Sequence, residues 1–259
     1  MRTVQAMRYV TPLHEGGSLP AVVEADDGLL YVMKFVGAGQ GPKALIAELV
    51  AGEIGRRIGL RVPEIVFMEM TPELGRSEPN PEIRDLLQAS VGLNLGLRYL
   101  SGSLAFNTLL KPPLDAELAS RIVWFDAFVT NVDRTPRNVN MLIWEGQLWL
   151  IDHGAALYFH YDWEGYLARS STAFAMIKQH SLIALASALP AADAALRPQL
   201  TEAVFRAIAS QIPDRWLDDE PQFRTADEQR EGYVAYLTNR LAASSIFLEE
   251  AVHAHAQLV

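Results

Sequence analysis

The sequence TNVDRTPRNVNMLIWEGQLWLIDHG, residues 130–154, carries most of the information about architecture and function. Asp133 stands five positions before Asn138, and Asp152 follows after a short apolar stretch. Phosphoryl-transfer enzymes use such a set. One carboxylate orients or deprotonates the acceptor, and an amide and a second carboxylate hold magnesium against the ATP phosphates. The pattern predicts Asp133 as the catalytic acid and Asn138 and Asp152 as metal ligands.

The residues between Asn138 and Asp152 predict a β-hairpin. Two apolar runs, 139–144 and 147–151, flank Glu145-Gly146, and a two-residue turn ending in glycine is typical of a tight hairpin. The turn sets three expected cross-strand pairs: Trp144 with Gln147, Leu142 with Trp149, and Val139 with Asp152. Cross-strand neighbours lie roughly 5 to 8 Å apart, so Asn138 and Asp152 can share one Mg²⁺ ion. A regular ladder would point them to opposite faces, so the strand ends must twist or fray.

A structural interpretation of the same residues stays open. Asp-Arg-Thr-Pro is also an ordinary turn that Asn138 can cap, and Asp152 can cap a turn before Gly154. Asp126, on a predicted helix before the stretch, can cap it or pair with Arg134 or Arg137.

A lysine and a glutamate far upstream support the phosphate interpretation. Lys34 lies inside the apolar run 31–35, and burying an unpaired ammonium group is costly. Glu48, on a predicted helix, is the partner we expect, with Glu53 as a weaker alternative. A strand lysine paired with a helix glutamate holds the ATP α- and β-phosphates in kinases. The alternative is an edge lysine and a solvated glutamate.

Two glycine-rich segments flank that lysine strand. Gly16, Gly17 and Ser18 lie between the first two predicted strands, where backbone N–H groups can approach an anion. The alternative is a plain hairpin loop, because the segment matches neither common phosphate-loop pattern. The segment 37–41 follows the lysine, and we interpret it as a flexible connection to the helix.

The chain predicts an α+β fold, with a small antiparallel sheet and one helix before about residue 100 and mostly helix afterwards. The expected strands are 4–10, 21–25, 29–36, 62–70 and 91–100, and the expected helix is 43–58, with a short helix at 81–88. The later helices are expected at 115–130, 172–188, 193–211 and 225–256.

Composition narrows the function classes. The chain has 259 residues, a net charge of −9 and no cysteine. The lack of cysteine excludes disulfides and thiolate metal sites. The chain also has no lysine- or arginine-rich run, which argues against nucleic acid as the main partner. His153, His160 and His180 lack the spacing of a zinc site. We expect no membrane span, because no run of 18 apolar residues exists, and a cytoplasmic location, because no signal core precedes the first strand.

In motif order the chain resembles the HipA-like kinases, and more distantly the phosphatidylinositol kinases. The motifs are the Gly-Gly-Ser loop, Val-Met-Lys-Phe, the helix glutamate, Asn-x-Asp-Arg-x-x-x-Asn, the hairpin and Ile-Asp-His-Gly. The resemblance implies a two-lobed protein-kinase-like fold, with an ATP-binding lobe over 1–100 and a helical catalytic lobe over 101–259. It also implies that Arg98, Tyr99 and Leu100 form the hinge that meets adenine.

The expected activity is transfer of phosphate from ATP, with Mg²⁺, to a Ser/Thr hydroxyl of a protein. The alternatives are a small-molecule or lipid-headgroup kinase and a nucleotide-binding scaffold without turnover. Two departures from the family pattern stand out, Thr135 in place of histidine and His153 in place of the phenylalanine of protein kinases. The acceptor, autophosphorylation, the oligomeric state and any toxin role are not specified by the sequence.

Overall fold

The computed structural model describes residues 1–13, 19–75, 78–107, 114–217 and 220–258. Five strands in the first hundred residues form a closed barrel in the order β1-β2-β3-β5-β4. The strands are β1 (Thr3–Pro12), β2 (Ala21–Ala25), β3 (Leu30–Lys34), β4 (Ile65–Met70) and β5 (Gly92–Arg98). All five strand predictions are confirmed, with shifts at their ends.

The barrel closes through a pairing that the sequence did not predict. Four neighbouring pairs are antiparallel, as expected, but β1 and β4 pair in parallel, with Val4 opposite Met68. The expected small antiparallel sheet is therefore a mixed, closed one. Parallel neighbours need a long crossover connection, and β2, β3 and α1 lie between β1 and β4 in the chain.

Two α-helices accompany the barrel, at the positions that the sequence predicts for a long and a short helix. Helix α1 (Gly41–Arg57) is buried on all sides over residues 45–52, and Ile54 is buried as well. Helix α2 (Pro81–Ala89) begins at Asn80, whose side chain accepts a hydrogen bond from the Glu82 N–H. This is a standard N-cap, and it fixes the short helix that the sequence indicated.

After the barrel the chain is mostly helical. Helix α3 (Ala116–Phe128) starts at Asp115, which caps the Leu118 N–H, and it leads into the stretch 130–154. The strands β6 (Leu104–Ala105), β7 (Met141–Trp144) and β8 (Gln147–Leu150) form a second sheet. The remaining helices are α4 (Tyr166–Ser170), α5 (Leu189–Leu196), α6 (Glu202–Ala209), α7 (Ala226–Ala242) and α8 (Ser244–Ala256).

The predicted hairpin is confirmed around its turn. Trp144 pairs with Gln147 and Leu142 with Trp149, as expected. Glu145 and Gly146 both have positive φ, 49° and 70°, which is the conformation of the tight two-residue turn. The pairing of Val139 with Asp152 is wrong, because the ladder ends at Met141 and Leu150.

The helix predicted over 172–188 is also wrong. This region contains two 3₁₀ turns, Ala175–Gln179 and Ile183–Leu185. Its backbone hydrogen bonds are mostly those of tight local turns, and the Ser181 N–H donates outside the segment, to the Arg134 carbonyl at 2.9 Å. The helix predicted over 193–211 is two helices, α5 and α6, and the helix predicted over 225–256 is also two, α7 and α8.

One large hydrophobic core joins α1 to the helical part of the chain. It contains Leu49 and Ile54 of α1, Phe125 and Phe128 of α3, and Leu150 of the hairpin. A second, smaller core fills the barrel. The helix that carries Glu48 and the stretch that carries Asp133 are thus held by the same packing. In the described part of the chain, no helix has the length and apolar character that a bilayer crossing requires.

Candidate active site

Lys34 is the centre of a buried group of charges. It ends β3 with a side chain that is 12% exposed, and its Nζ contacts Glu48 Oε2 and lies 2.6 Å from Asp152 Oδ1. The Glu48 side chain is fully buried, whereas the Asp152 side chain is 47% exposed. The structure therefore brings Lys34 and Glu48 together as expected, and it adds Asp152 to the pair. Glu53 pairs with Arg56 instead.

His153 hydrogen-bonds the buried carboxylate of Glu48. Its backbone N–H donates to Glu48 Oε2 at 2.8 Å, and its Nδ1 lies 3.1 Å from Glu48 Oε1. A carboxylate accepts only, so Nδ1 carries the proton. In the sequence, His153 is notable only as a departure from the family pattern and as a candidate metal ligand. Its position directly after Asp152 was the one signal for this role.

The pKa values of the pair follow from these contacts. Burial favours the neutral form of Lys34, but the charges of Glu48 and Asp152 outweigh it and raise the pKa of Lys34 above its ordinary value. Burial likewise opposes ionisation of Glu48, but Lys34 and the hydrogen bond from His153 hold the pKa of Glu48 well below its usual range. Both groups are therefore charged at neutral pH.

Asp133 and Asn138 lie at the base of a tight turn. The N–H and carbonyl groups of Thr135 and Asn138 bond reciprocally at 3.0 Å, and Asn138 Nδ2 donates to Asp133 Oδ2 at 2.7 Å. The amide nitrogen is thus engaged, and Asn138 Oδ1 makes no hydrogen bond to a described residue. Partial burial, together with the charge of Asp152, raises the pKa of Asp133.

Backbone conformation explains how the hairpin end presents Asp152. Asn140 and Asp152 have positive φ, 47° and 55°, directly outside the last ladder pair. The Ile151 N–H still donates to the Asn140 carbonyl at 3.1 Å. The strand ends therefore leave the regular ladder at both positions, as the sequence argument required. Positive φ is uncommon outside glycine, and asparagine and aspartate tolerate it best.

Four of the predicted residues line one small cavity of about 90 Å³: Lys34, Asp133, Asn138 and Asp152. Glu48 lies behind Lys34. The cavity also contains residues that the sequence analysis did not assign to the site, namely Ala38, Gln40, Gly41, Ala44, Gly154 and Ala155.

The segment between β3 and α1 has a larger role than a connection. Its backbone is held by the Val36 N–H, which donates to Asn94 Oδ1 at 2.8 Å, and by the Gly37 N–H, which donates to Ser90 Oγ at 3.1 Å. A Cβ at Gly37 would lie 2.8 Å from the backbone of Ala89, so only glycine fits there. The run of glycines was the sequence signal for this role. The hydrogen-bond partners of the segment lie far away in the chain, so the sequence did not identify them.

The predicted hinge residues Arg98, Tyr99 and Leu100 do not line this cavity. Arg98 and Tyr99 donate their backbone N–H groups to the carbonyls of Glu64 and Leu30 at 2.8 and 2.9 Å. The Leu100 N–H has no backbone partner among the described residues. Gly16, Gly17 and Ser18 lie outside the described residues.

A second buried ion group lies under the turn. Asp126 accepts hydrogen bonds from Arg134 Nε at 2.6 Å, from Asn131 Nδ2 at 2.9 Å and from His180 Nε2 at 2.9 Å. The His180 tautomer follows, because the Leu182 N–H donates to Nδ1. Burial is outweighed by Arg134 and His180, which hold the pKa of Asp126 well below its usual range. Of the two arginine partners considered, Arg134 is the one that pairs.

Arg134 connects this group to the hairpin. Its Nη1 donates to the Asn140 carbonyl and, at 3.4 Å, to the Ile151 carbonyl. One buried guanidinium therefore joins α3 to both strand ends. His160 is paired elsewhere, with Tyr233 at 3.0 Å, and burial lowers its pKa to about 3.

The fold is similar to that of two solved kinases. A crystal structure of a Helicobacter pylori proinflammatory kinase, CtkA, matches with a TM-score of 0.54 and 13% identity, over 96% of this chain and 95% of that chain. The Golgi casein kinase with Mn/ADP bound matches with a TM-score of 0.50 and 12% identity, over 96% of this chain and 73% of that chain. These likenesses define a kinase-like fold.

Sequence comparison gives the family. The model of the HipA-like kinase family matches residues 7–245, and the chain therefore belongs to that family and is a kinase. A search of curated protein sequences gives no significant match.

Proposed function

We propose that this kinase transfers the γ-phosphate of ATP, with Mg²⁺, to a Ser/Thr hydroxyl of a protein. The observation that carries the proposal is Lys34, which joins Glu48 and Asp152 at a cavity that also contains Asp133 and Asn138. The proposal includes the division into an ATP-binding lobe, 1–100, and a helical catalytic lobe, 101–259, with the nucleotide between them.

Lys34 has the position of the phosphate-orienting lysine. Glu48 and His153 hold its ammonium group at the cavity wall, and the contact with Asp152 shows that an anion is accommodated beside it. When nucleotide binds, phosphate oxygens take part of the place that Asp152 Oδ1 now occupies. The raised pKa of Lys34 keeps its charge available for them.

The donor atoms suit magnesium. Asn138 Oδ1 is left without a hydrogen bond to a described residue, and Asp152 uses Oδ1 for Lys34 while Oδ2 has no such bond. Magnesium prefers oxygen ligands and usually takes one or two from protein carboxylates, with phosphates and waters completing the set. Asn138 and Asp152 would hold the ion, which would neutralise charge on the phosphates.

Asp133 has the place of the acceptor-orienting acid. Asn138 fixes Oδ2, so the acceptor hydroxyl would meet Oδ1. A bond forms between the hydroxyl oxygen and the γ-phosphorus while the bond to the bridging oxygen breaks. ADP leaves, and the hydroxyl proton passes to Asp133. The raised pKa of Asp133 suits this acceptance of a proton.

The other predicted nucleotide contacts belong to the proposal. Because the N–H groups of Arg98 and Tyr99 are engaged, the Leu100 N–H is the hinge donor that we assign to adenine. Gly16, Gly17 and Ser18 would cover the phosphates. A cytoplasmic location stays a prediction from the sequence.

The test compares wild type with Asp133→Ala, using radiolabelled γ-phosphate and a cell lysate as the source of acceptors. We expect labelled protein bands with wild type and none with Asp133→Ala, while calorimetry shows ATP binding to both. Transfer by Asp133→Ala at the wild-type rate would refute the mechanism. Label confined to small molecules or lipid would replace the protein acceptor, and ATP binding without any transfer would indicate a scaffold.

A further inference from the structure

A groove lies beside the turn that holds Asp133 and Asn138. Its volume is about 730 Å³, and we call it the 137/178 groove after its two cationic residues. One wall is the turn segment 135–137, and the other includes Lys178, Ser181 and Ile183. The groove is separate from the small cavity at Lys34, since no residue lines both.

The turn places the groove next to the reacting group. Thr135 and Asn138 close the turn with two hydrogen bonds, so Pro136 and Arg137 form its tip. At its base, the Asn138 side chain bonds Asp133. One side of a four-residue turn thus meets the phosphotransfer cavity, and its tip forms part of the groove.

Both walls of the groove are anchored to the same buried ion group. On one wall, Arg134 precedes the turn and bonds Asp126. On the other, His180 bonds Asp126 and the Ser181 N–H donates to the Arg134 carbonyl at 2.9 Å. The spacing between the walls is therefore fixed, as a specific binding surface requires.

The charge of the groove is opposite to that of the molecule. The net charge of the chain is −9, yet no described residue that lines the groove is acidic. Arg137 and Lys178 are both exposed, and neither forms an ion pair with a described residue. In addition, Ser181 Oγ is buried and has no hydrogen-bond partner among the described residues. The exposed groups that the groove offers to an anion are thus its two cations.

We infer that the 137/178 groove binds an acidic polypeptide segment of the acceptor, so that the kinase selects hydroxyls that lie near Asp or Glu residues. This inference rests on the proposed function, and it deepens it by naming the substrate class. Guanidinium and ammonium groups recognise carboxylates through charge-assisted hydrogen bonds. A carboxylate held there places its neighbouring residues at the turn and hence near Asp133.

The length of an extended acceptor polypeptide sets the spacing between the selected acid and the phosphorylated hydroxyl. An extended polypeptide advances about 3.3 Å per residue, and the turn tip lies only a few residues from Asp133. We therefore expect the selected acid about two to four residues from the phosphorylated hydroxyl.

A polypeptide fits the groove better than a nucleic acid. Nucleic-acid grooves carry runs of basic residues along the phosphate backbone and aromatic side chains on which bases stack. The described lining has two cations, and no tryptophan, tyrosine or phenylalanine.

The experiment measures peptide binding and peptide phosphorylation separately, with the full chain. The probes are fluorescent serine peptides that carry Glu at positions two to four from the serine, matched peptides with Gln or Lys there, and a single-stranded RNA. The variants are the double substitution Arg137→Gln/Lys178→Gln and the reversal Arg137→Glu/Lys178→Glu. The control is Arg57→Gln, which changes an exposed arginine at the end of α1.

We expect the Glu peptide to bind wild type and Arg57→Gln about tenfold more tightly than the Gln peptide, in a salt-sensitive manner. The neutral double variant should lose this preference, and the reversal variant should prefer a Lys peptide. Phosphorylation should show the same order in kcat/KM.

Equal binding of the Glu and Gln peptides to wild type would overturn the inference, as would a preference that survives in both double variants. Tighter binding of single-stranded RNA than of the Glu peptide, with dependence on Arg137 and Lys178, would overturn it in favour of nucleic acid. Preferential binding of the Glu peptide without any phosphorylation would support the groove but refute the proposed function. Phosphorylation of the Glu and Gln peptides without preference would support the proposed function but refute the inference about the groove.

Discussion

The Lys34 group and the Asp126 group are both buried sets of charges, but they differ in what their atoms face. Asp126 accepts hydrogen bonds from three protein side chains and is fully buried. Asp152 bonds Lys34 through one oxygen, is half exposed and borders a cavity. We therefore expect the Asp126 group, which is saturated with protein hydrogen bonds, to stabilise the fold. We expect the Lys34 group, which is unsaturated, to keep oxygen atoms available for a substrate.

The largest effect should come from the saturated group. Asp126→Asn leaves the buried guanidinium of Arg134 without its counter-charge, and we expect unfolding free energy to fall by about 3–5 kcal/mol. Urea unfolding followed by circular dichroism measures this loss. Asp162→Asn is the matched control, because Asp162 pairs with Arg169 at the surface, and it should change little. Equal stability of the two variants would remove the distinction between the groups.

Asp152→Asn should give the opposite result. Its half-exposed side chain contributes little to folding, so the unfolding midpoint should stay near that of wild type. We expect phosphate transfer to fall by about 10²–10³-fold, because an interaction with developing phosphate charge is lost. Transfer assays at saturating ATP, with thermal unfolding beside them, measure both. A large loss of stability with normal transfer would assign Asp152 to the scaffold.

Glu48→Gln tests the residue that shares features of both groups. Glu48 is fully buried like Asp126, yet it contacts Lys34. We expect a stability loss of about 1–3 kcal/mol, because His153 and Lys34 lose a charged partner, together with weaker ATP binding. Glu53→Gln is the control on the same helix, since Glu53 pairs with Arg56 and with no other cation of the described residues. Calorimetry with ATP and urea unfolding separate the two effects.

Acidification should separate the groups in a further way. The folded-state pKa values of Asp126 and Glu48 are depressed, so their stabilisation is present above the ordinary carboxyl pKa and is lost as pH falls below it. Asp133 has a raised pKa, so its carboxylate protonates at a higher pH. We therefore expect phosphate transfer to decline on acidification before unfolding begins. Parallel pH profiles of transfer and of unfolding midpoint test this order.

The smallest effect should come from Gly154→Ala. The added methyl group would lie 3.7 Å from Lys34 Nζ and 3.6 Å from Asp152 Oδ1, which are ordinary contacts. Folding should be unchanged, whereas ATP affinity should fall by about threefold, or less than 1 kcal/mol. Gly39→Ala is the control, because a Cβ there meets no atom of a described residue within 4 Å. A difference in unfolding midpoint between the two variants would contradict this interpretation.

The sequence predicted the local features of the molecule well. The Glu145-Gly146 turn and its register follow from side-chain alternation and turn chemistry within a dozen residues. Lys34 pointed to Glu48 because a charged residue in an apolar strand requires a partner. Each of these inferences needed only one element or two neighbouring elements.

The features that the sequence did not predict depend on distant contacts. His180 lies 54 residues from Asp126, and their bond ties the segment in which a helix was expected to α3. The closure of the barrel by β1 and β4 likewise has no local signal. Similarly, the contact between His153 and Glu48 spans 105 residues, so periodicity could not reveal it.

The closed barrel has a consequence for association between molecules. Met7 and Val10 of β1 are 60% and 39% exposed, and apolar residues on a strand with a free edge favour pairing with another chain. One edge of β1 pairs with β2 from Ala6 to Pro12, and the other edge pairs with β4 only over Thr3, Val4 and Gln5 among the described residues. The parallel pairing therefore blocks intermolecular sheet formation at the start of β1, whereas Met7 and Val10 lie where the second edge has no strand partner in the described part of the chain.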